Sequence, residues 1–279
     1  MNEKVAVITG SSSGFGLRIA VELAQRGWRV AATMRDPSKR TRLDEAAVDA
    51  GVSDRVDVHQ LDIANIAAVP EAVNPILRQY GHIDALINNA GFAMAGFLED
   101  LSIDELRRQF ETNFFGHVAV TKAVLPIMRQ QRSGHIILMS SISGLIGYPA
   151  VGAYSASKHA LEGFGETLRL EMNPLGIRVV LVEPGAFDTD IWEKNAKLAE
   201  GARRHDSPNH ERGLQMRERI RETKKADPTI VSRLVADICE TPHPNLRYVV
   251  GRDARMGRLL KRVLPWSVFE KLVGGRVKN

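Results

Sequence analysis

Residues 9–16 read Thr9-Gly10-Ser11-Ser12-Ser13-Gly14-Phe15-Gly16 and stand between an apolar run, Val5–Thr9, and an amphipathic run, Gly16–Arg26. The apolar run predicts a buried strand, and the amphipathic run predicts a helix. Glycines let the backbone turn tightly and approach a phosphate, and a helix N-terminus offers unpaired N–H groups to an anion. The alternative is a purely structural turn, which this placement disfavours. We therefore predict a dinucleotide-binding site at the first strand–helix junction.

Strand-like and helix-like segments alternate along the rest of the chain. Further strands are predicted at Arg29–Thr33, Val56–Leu61, Ala85–Asn88, His135–Ser140 and Arg178–Glu183, with an edge strand at Arg247–Val250 and a long helical pattern at Ile103–Gln130. This alternation predicts a doubly wound, mostly parallel sheet with helices on both faces, which is an α/β fold. We see no internal repeat, and we expect one domain over residues 1–279.

The composition fits a globular protein, with 44% hydrophobic and 25% charged residues among 279. The single cysteine, Cys239, excludes an intrachain disulfide and suits a reducing compartment, so we expect a cytoplasmic protein. We expect no signal peptide, no membrane span and no metal site. The net charge of +5 suits nucleic acid, an anionic membrane or an anionic cofactor. Because no basic patch carries interleaved aromatics, nucleic acid is disfavoured.

The glycine spacing is Gly-x-x-x-Gly-x-Gly, and here the sequence resembles the short-chain dehydrogenase/reductase family, whose single-domain members carry Thr-Gly-x-x-x-Gly-x-Gly at this place. The resemblance covers roughly residues 4 to 190. It implies that the turn binds a nicotinamide dinucleotide through Gly10, Ser12, Ser13, Gly14, Phe15 and Gly16.

The end of the second predicted strand reads Ala31-Ala32-Thr33-Met34-Arg35 and bears on the choice of cofactor. In dinucleotide folds an acidic residue here binds the ribose 2′-hydroxyl, whereas an arginine accommodates a 2′-phosphate. No carboxylate ends the strand, and Arg35 follows it. Asp36 is either a 2′-hydroxyl ligand or a helix N-cap before Pro37. We favour the cap, and so NADP(H) over NAD(H).

Three further groups of cofactor contacts come from the resemblance alone. Asp62 and Ile63 match the pair beside the adenine, although an isolated Asp62 is more often a helix cap. The segment Asn88-Asn89-Ala90-Gly91 matches the family signature that lines the cofactor groove, which assigns Asn89, Ala90 and Gly91 to it. The loop Pro184-Gly185-Ala186-Phe187-Asp188-Thr189 matches Pro-Gly-x-x-x-Thr and implies nicotinamide contacts at Pro184, Gly185, Phe187 and Thr189.

Tyr154 and Lys158 are four residues apart in a helical pattern and so share one helix face. A free tyrosine titrates near pH 10, and lowering its pKa by about three units needs about 4 kcal/mol. One cation at roughly 4 Å and an effective dielectric near 20 supplies about that much. The helix N-terminus and an oxidised nicotinamide act in the same direction. We therefore expect Tyr154 to be the proton-transfer residue, with its pKa lowered.

The resemblance assigns the rest of the catalytic group. Ser141, thirteen residues before the tyrosine, matches the serine that binds the substrate oxygen, and the offset favours it over Ser140. Asn113 matches the asparagine of a water-mediated relay to the lysine, and Lys158 also holds the nicotinamide ribose. The implied reaction is hydride transfer between nicotinamide and a carbonyl or secondary alcohol, with ketone reduction as the working direction. The alternatives are an NADP(H)-binding redox sensor and a non-redox relative such as an epimerase or dehydratase.

The substrate side is predicted less fully. We expect Ser141, Tyr148, Phe187 and Trp192 to contact substrate, with Phe92, Met94, Ser143 and Ile191 nearby. These mostly apolar residues favour a hydrophobic ketone or alcohol that is steroid-, retinoid- or lipid-like. Residues 9–24 and the Thr-Met-Arg-Asp setting of Arg35 resemble the hydroxysteroid and retinol dehydrogenase branch. A charged stretch at about 190–226 is expected to form a variable lid.

Residues 252–279 form a basic, amphipathic tail. Such a tail either lies on a membrane surface or packs on the domain or a subunit, and we favour packing. Pro265 is expected to interrupt the helix. By resemblance, the fourth and fifth helices pair subunits, so we expect a homodimer or homotetramer.

Overall fold

The computed structural model describes residues 3–191 and 195–275, apart from the side chains of residues 217, 220 and 221. In this part of the chain, the central sheet has seven parallel strands: β1 (Val5–Thr9), β2 (Arg29–Met34), β3 (Val56–Gln60), β4 (Ala85–Asn88), β6 (Gly134–Met139), β7 (Ile177–Pro184) and β9 (Arg247–Val250). Two short strands, β5 (Ala93–Ala95) and β8 (Ala196–Leu198), form a separate parallel pair. All seven predicted strands are confirmed to within two residues at either end.

Helices cover both faces of the sheet. They are α1 (Gly14–Gln25), α2 (Thr41–Asp49), α3 (Val69–Tyr80), α4 (Ile103–Phe110), α5 (His117–Gln131), α6 (Gly152–Met172), α7 (Glu200–Arg203), α8 (His210–Glu222), α9 (Thr229–Glu240), α10 (Arg252–Val263) and α11 (Trp266–Gly274). Residues of α1, α2 and α9 form the core on one face, and residues of α3, α5 and α6 form it on the other. Successive strand residues point to opposite faces, so Ala6 and Ile8 join the first core while Val7 joins the second. The doubly wound α/β prediction is confirmed.

The strand order is β3-β2-β1-β4-β6-β7-β9. The chain winds outward from β1 to β3 and then restarts at β4 on the other side of β1. Between the carboxyl ends of β1 and β4, the connecting segments diverge and leave a crevice. Open α/β sheets bind their ligands at this switch point.

The predicted long helix, Ile103–Gln130, is wrong in one respect. A π-helical segment, Glu111–Gly116, separates α4 from α5. The side chain of Asn113 in this segment bonds the backbone of Phe92, and a Cβ on Gly116 would lie 2.6 Å from the carbonyl oxygen of Ile63. These tertiary contacts favour a wider turn, of the kind that often marks functional sites.

The predicted lid region leaves and rejoins the sheet at one place. Asp188 N donates to Ala226 O (2.9 Å), and Ala226 N donates to Ala186 O (3.0 Å). Within the region, β8 pairs with β5, and Glu200 N donates to the Glu105 carboxylate at 2.9 Å. The described part of this region is therefore bonded to the body of the protein at both its base and its middle.

The tail packs with one side on the protein, as favoured from the sequence. Ala254 of α10 and Phe269 of α11 are buried in a cluster with Ile142 and Ile146. Pro265 separates the two helices as expected, since it is the N-cap of α11. Among the described residues, no helix combines the length and the apolar character that crossing a bilayer requires.

Candidate active site

A cavity of about 1420 Å³ opens at the switch point. Its wall runs from the glycine-rich turn, past Arg35, to the N-terminal part of α6 and on to the tail helices. Single-ligand pockets usually measure roughly 300–1,000 Å³. The volume therefore accommodates an elongated dinucleotide together with a second molecule.

The glycine-rich turn fits a phosphate group. Gly10 and Gly14 have φ of 71° and 59°, in the left-handed region that favours glycine. A Cβ on Gly16 would lie 2.3 Å from Gly10 O, so a side chain there would force the turn open. Ser13 is the N-cap of α1, yet its side chain makes no capping bond, and the first turn holds no acidic residue. The helix N-terminus thus keeps donors for an anion. Ser12 and Phe15 line the same end of the cavity.

The Asn-Asn-Ala-Gly segment holds this turn against β4. Asn89 Nδ2 donates to Thr9 O (2.9 Å) and Gly10 O (3.1 Å), while the Thr9 hydroxyl accepts from Asn89 N (2.9 Å) and Ala90 N (3.0 Å). A Cβ on Gly91 would lie 3.2 Å from Asn113 Oδ1. Asn89, Ala90 and Gly91 all line the cavity. These residues therefore hold the glycine-rich turn in place as well as lining the cavity.

The end of β2 presents two cations to the cavity. Arg35 is exposed and lines the cavity, and so does Lys39, four residues later in the short helix Pro37–Arg40. The Asp36 carboxylate instead accepts bonds from Ser38 N (3.1 Å) and Ser38 Oγ (2.7 Å), and these bonds lower the pKa of Asp36. The capping interpretation of Asp36 is confirmed, with Pro37 in the first turn of the helix that it caps.

Asp62 and Ile63 lie where the resemblance expects them, at the cavity wall after β3. Asp62 Oδ1 accepts from Ala64 N at 3.1 Å, which closes a local turn. The N-cap of the short helix that follows is Asn65, so the helix-cap alternative for Asp62 is wrong. Ile63 is buried, with its carbonyl oxygen against Gly116. Both residues are therefore placed where they can border an adenine.

The Pro184–Thr189 loop closes the cavity from the β7 side. Gly185 N donates to Val250 O (2.8 Å), and a Cβ on Gly185 would lie 2.3 Å from the Asp253 carboxylate. Buried Phe187 meets Phe15 of the glycine-rich turn edge to face, with 5.8 Å between ring centroids. Pro184, Gly185, Phe187 and Thr189 all line the cavity. The loop thus packs against the glycine-rich turn on one side and against β9 on the other.

Tyr154, Ser141 and Lys158 converge at the inner end of the cavity. A side-chain hydrogen bond joins Ser141 to Tyr154. The Lys158 ammonium donates to Met139 O at 2.7 Å and lies 5.8 Å from the Tyr154 ring centroid. Ser140 also lines the cavity, but within the described chain its buried hydroxyl oxygen has no hydrogen-bond partner. Of the two serines, Ser141 is the one that is hydrogen-bonded to Tyr154, and its role toward a substrate stays a prediction.

The expected direction of the Tyr154 pKa is wrong for the protein groups taken alone. Burial raises the pKa of Tyr154 to about 12, and the bond from Ser141 offsets this only in part. Burial also lowers the pKa of Lys158 to about 8, against the carboxylate of Glu162, which raises it. Desolvation disfavours both the phenolate and the ammonium, and the attraction of one cation at roughly 4 Å does not overcome it. At neutral pH, Tyr154 holds its proton and Lys158 its charge.

Asn113 is fully buried, and both the oxygen and the nitrogen of its side-chain amide are hydrogen-bonded. Its Oδ1 accepts from Phe92 N (3.1 Å), while its Nδ2 donates to Phe92 O (3.0 Å) and to Ser157 Oγ (3.5 Å). The side chain thus bonds the segment after β4 to α6, one residue before Lys158. Its neighbour His117, four residues on, donates from Nε2 to Ala90 O at 2.6 Å and stays neutral because burial and Lys158 lower its pKa to about 3.

A partly buried cluster of ionisable side chains next to Lys158 was missed by sequence reasoning. Arg247 of β9 pairs with Glu162 (2.9 Å), Glu166 (2.8 Å) and the fully buried Glu183 (3.0 Å). Burial, followed by the nearby carboxylate of Glu162, raises the pKa of Glu183. Lys158, Glu162 and Glu166 recur at intervals of four on α6, and that spacing was the available signal. The partner Arg247 lies far away in sequence and gave none.

The substrate-side predictions have mixed outcomes. Tyr148, Phe187, Phe92, Ser143 and Ile191 line the cavity. Met94 does not, because it is buried in a separate core cluster with Leu101 and Ala153. Trp192 lies outside the described residues. The tail contributes wall residues that sequence reasoning did not place there, namely Met256, Gly257, Leu260, Phe269, Leu272 and Val273.

A dinucleotide-type groove joined to a Tyr–Lys–Ser group defines a nicotinamide-dependent class of proteins. Residues 4–199 match the short chain dehydrogenase family, and the chain belongs to it. It is 40% identical over 276 residues to the uncharacterized oxidoreductase YusZ of Bacillus subtilis, covering 98% of both chains. It is 37% identical over 252 residues to 3-ketodihydrosphingosine reductase of Bacteroides thetaiotaomicron, covering 90% of this chain and 89% of that one. It is 43% identical over 194 residues to bovine retinol dehydrogenase 8, and the match covers 68% of this chain and 61% of that one.

Solved structures agree with the fold. A short-chain dehydrogenase from Streptomyces avermitilis superposes with a TM-score of 0.83 and 32% identity, over 98% of this chain and 99% of that one. A Burkholderia phymatum relative in complex with NAD superposes with a TM-score of 0.79 and 26% identity, over 100% of this chain and 97% of that one. An alcohol dehydrogenase from Thermococcus sibiricus in complex with 5-hydroxy-NADP superposes with a TM-score of 0.71 and 25% identity, over 89% of this chain and 96% of that one. This chain is an oxidoreductase of the same family with a nicotinamide dinucleotide site.

Proposed function

We propose that the protein is an NADP(H)-dependent oxidoreductase that interconverts a hydrophobic ketone and its secondary alcohol, with reduction as the working direction. The observation that carries this proposal is the convergence, in one cavity, of the glycine-rich turn at one end and Ser141, Tyr154 and Lys158 at the other. When bound, the nicotinamide supplies or accepts the hydride.

Each polar side chain has a definite task in this proposal. Tyr154, protonated at neutral pH because burial raises its pKa, donates its hydroxyl proton to the substrate oxygen during reduction. Ser141, bonded to Tyr154, orients and polarises that oxygen. Lys158 remains charged below a pH of about 8 and stabilises negative charge on the Tyr154 oxygen once the proton has left. Asn113 fixes α6 relative to the segment after β4 and so keeps these groups in register.

The preference for NADP(H) rests on the cations at the end of β2. Arg35 and Lys39 face the cavity, whereas the nearest carboxylate, Asp36, is committed to Ser38. A guanidinium donates in a fixed fork that suits a phosphate. One relative of similar fold is in complex with NAD and another with an NADP derivative, so the fold alone does not set the preference.

A hydrophobic substrate is supported by the outer wall of the cavity. Ile142, Ile146, Tyr148, Leu260 and Phe269 present apolar surface there. Two relatives are named for retinol and for 3-ketodihydrosphingosine. We infer that residues 190–226 form the lid over this wall and that Tyr148 and Phe187 contact the substrate.

The decisive experiment compares Tyr154→Phe with wild type on a panel of steroid, retinoid and long-chain ketones, with NADPH consumption as the readout. We expect Tyr154→Phe to lower kcat by roughly 10²–10⁴-fold while the NADPH Kd changes little. Tyr248→Phe is the matched control, because the Tyr248 hydroxyl accepts from Asn245 N (3.1 Å) outside the cavity, and it should keep kcat within about twofold. If no ketone turns over, or if Tyr154→Phe remains fully active, the reductase proposal fails. In that case a redox sensor or a non-redox relative would account better for the site.

The cofactor preference has its own test. Arg35→Gln should lower kcat/KM for NADPH by roughly 10–100-fold and leave that for NADH nearly unchanged, since charged hydrogen bonds contribute about 1.5–3 kcal/mol. Arg40→Gln removes a neighbouring charge that pairs with Asp44 at 2.7 Å and does not line the cavity, so it should alter neither value. A wild-type preference for NADH would contradict the proposal.

A further inference from the structure

The outer side of the tail helices carries apolar and basic side chains together. Met256, Leu259 and Val263 of α10 are exposed and recur at helical spacing, so they form one stripe. Trp266, Val268 and Leu272 of α11 add exposed apolar surface, with Val268 and Leu272 on one side of that helix and Trp266 at its first turn. The six side chains are between 44% and 66% exposed. Fourteen large hydrophobic side chains are exposed in the described part of the chain. Six of the fourteen lie within the seventeen positions from Met256 to Leu272. Exposed apolar groups concentrated in this way mark an interaction surface.

Cations border the apolar stripe. Arg255 and Arg262, seven residues apart, lie beside it on α10, and Arg252 lies at its start. From residue 252 to residue 279 the sequence has eight basic and two acidic residues, an excess larger than the +5 of the whole chain. The rest of the protein is therefore close to neutral. One of the two acids, Asp253, is committed to Ala186 N at 2.7 Å.

The inner side of the same helices forms part of the cavity. Met256 and Leu272 line the cavity and are also about half exposed, so the stripe continues into the cavity wall. Ala254 and Phe269 anchor the two helices to Ile142 and Ile146. The tail is thus held in a fixed orientation, with its stripe facing outward at the rim of the cavity.

We propose that the exposed face of α10–α11 docks on the surface of an anionic lipid bilayer. An interfacial helix needs an apolar face that enters the acyl boundary and flanking cations that reach the headgroups, and this face supplies both. Trp266, the most exposed of the six side chains, suits the headgroup boundary because an indole is amphipathic. The concentration of positive charge favours lipid over a second copy of this chain, which would bring like charges together.

Docking in this orientation places the rim of the cavity at the bilayer surface. In this position the cavity can take up an apolar ketone directly from the membrane, and this consequence rests on the proposed function. The docking itself does not, because vesicle binding is measured without substrate. Tyr154→Phe should therefore bind vesicles as wild type does, and a failure of catalysis leaves the docking result interpretable.

The test is co-sedimentation of the full chain with vesicles of phosphatidylcholine alone or with 30% phosphatidylserine. We expect binding to the anionic vesicles that weakens in 1 M salt, and little binding to the neutral ones. Arg255→Gln with Arg262→Gln should weaken the binding roughly 30-fold. Leu259→Ser with Trp266→Ser should weaken it at least about tenfold. Circular dichroism and thermal melting verify that each variant is folded.

The matched control removes two exposed cations elsewhere. Arg78→Gln with Arg107→Gln, on α3 and α4, lowers the net charge equally and should leave vesicle binding within about twofold. No binding to anionic vesicles at low salt overturns the proposal. So does equal weakening by the control pair, which would indicate only a general charge effect. If the tail variants instead change the oligomeric mass in light scattering without any vesicle binding, a second copy covers this face and the proposal is wrong.

Discussion

Replacing Lys158 with methionine should stabilise the protein while it removes activity. Lys158 is 4% exposed, and burial lowers the pKa of its ammonium from 10.5 to about 8. One pKa unit corresponds to about 1.4 kcal/mol, so holding the charged form in the fold costs about 3 kcal/mol at pH 7. Methionine has a similar length and no charge. It also leaves Met139 O without the 2.7 Å bond, which costs about 1 kcal/mol.

The expected net gain for Lys158→Met is about 2 kcal/mol in the free energy of unfolding at pH 7. With an unfolding entropy of about 2.1 cal/mol/K per residue, the gain corresponds to a rise in Tm of about 3 °C for this chain. The gain must depend on pH. Below pH 8 Lys158 is charged in both the folded and unfolded states, and its full cost is present. Between pH 8 and 10.5 only the unfolded state keeps the proton, so wild type gains stability and the gap narrows.

Urea unfolding of both proteins at pH 7, 9 and 10 measures the gap directly. Lys122→Met, at an exposed position on α5, is the matched control and should stay within about 0.5 kcal/mol of wild type at every pH. Lys158→Arg keeps the buried charge and should show no gain. The reasoning is refuted if Lys158→Met unfolds at lower urea than wild type, or if its advantage does not shrink as the pH rises.

Three further results are expected. Gly16→Ala should weaken NADPH binding at least about tenfold in a fluorescence titration, because its Cβ would lie 2.3 Å from Gly10 O, whereas Gly163→Ala, with open space around it, should not. Ser141→Ala should lower kcat roughly 100-fold at unchanged NADPH affinity, and a change confined to KM would contradict its assigned role. Glu183→Gln should become increasingly more stable than wild type as the pH rises from 5 to 8, because the raised pKa of Glu183 lets only the unfolded state ionise in that range. A difference in the free energy of unfolding that is constant with pH would show that Glu183 is charged in the fold.

Local sequence patterns were sufficient for the sheet and for the glycine-rich turn. The central strands, such as β1 and β7, are short apolar runs with side chains buried on both faces, and such runs are visible without knowledge of their neighbours. Gly10 and Gly14 adopt the positive φ that their glycine identity permits. Tyr154 and Lys158 fall on one helix face because helical spacing requires it. The Asp36 cap was likewise predictable, since its partner Ser38 is only two residues away.

Tertiary structure decided the features that depend on distant partners or on burial. The π-helical turn at Asn113 follows from bonds to Phe92, twenty-one residues earlier, which no helical pattern contains. The raised pKa of Tyr154 follows from desolvation, a property of the packed site that overcomes local charge. Arg247 meets Glu162 only because β9 joins the sheet beside β7.

The tail shows the same division. Its sequence already contained the basic and apolar residues, and Pro265 marked the break between its helices. Only packing determined that Ala254 and Phe269 turn inward while Leu259 and Trp266 remain exposed. Sequence periodicity defines which residues share a face, but the contacts of the fold determine which face is covered, because burial depends on what lies opposite.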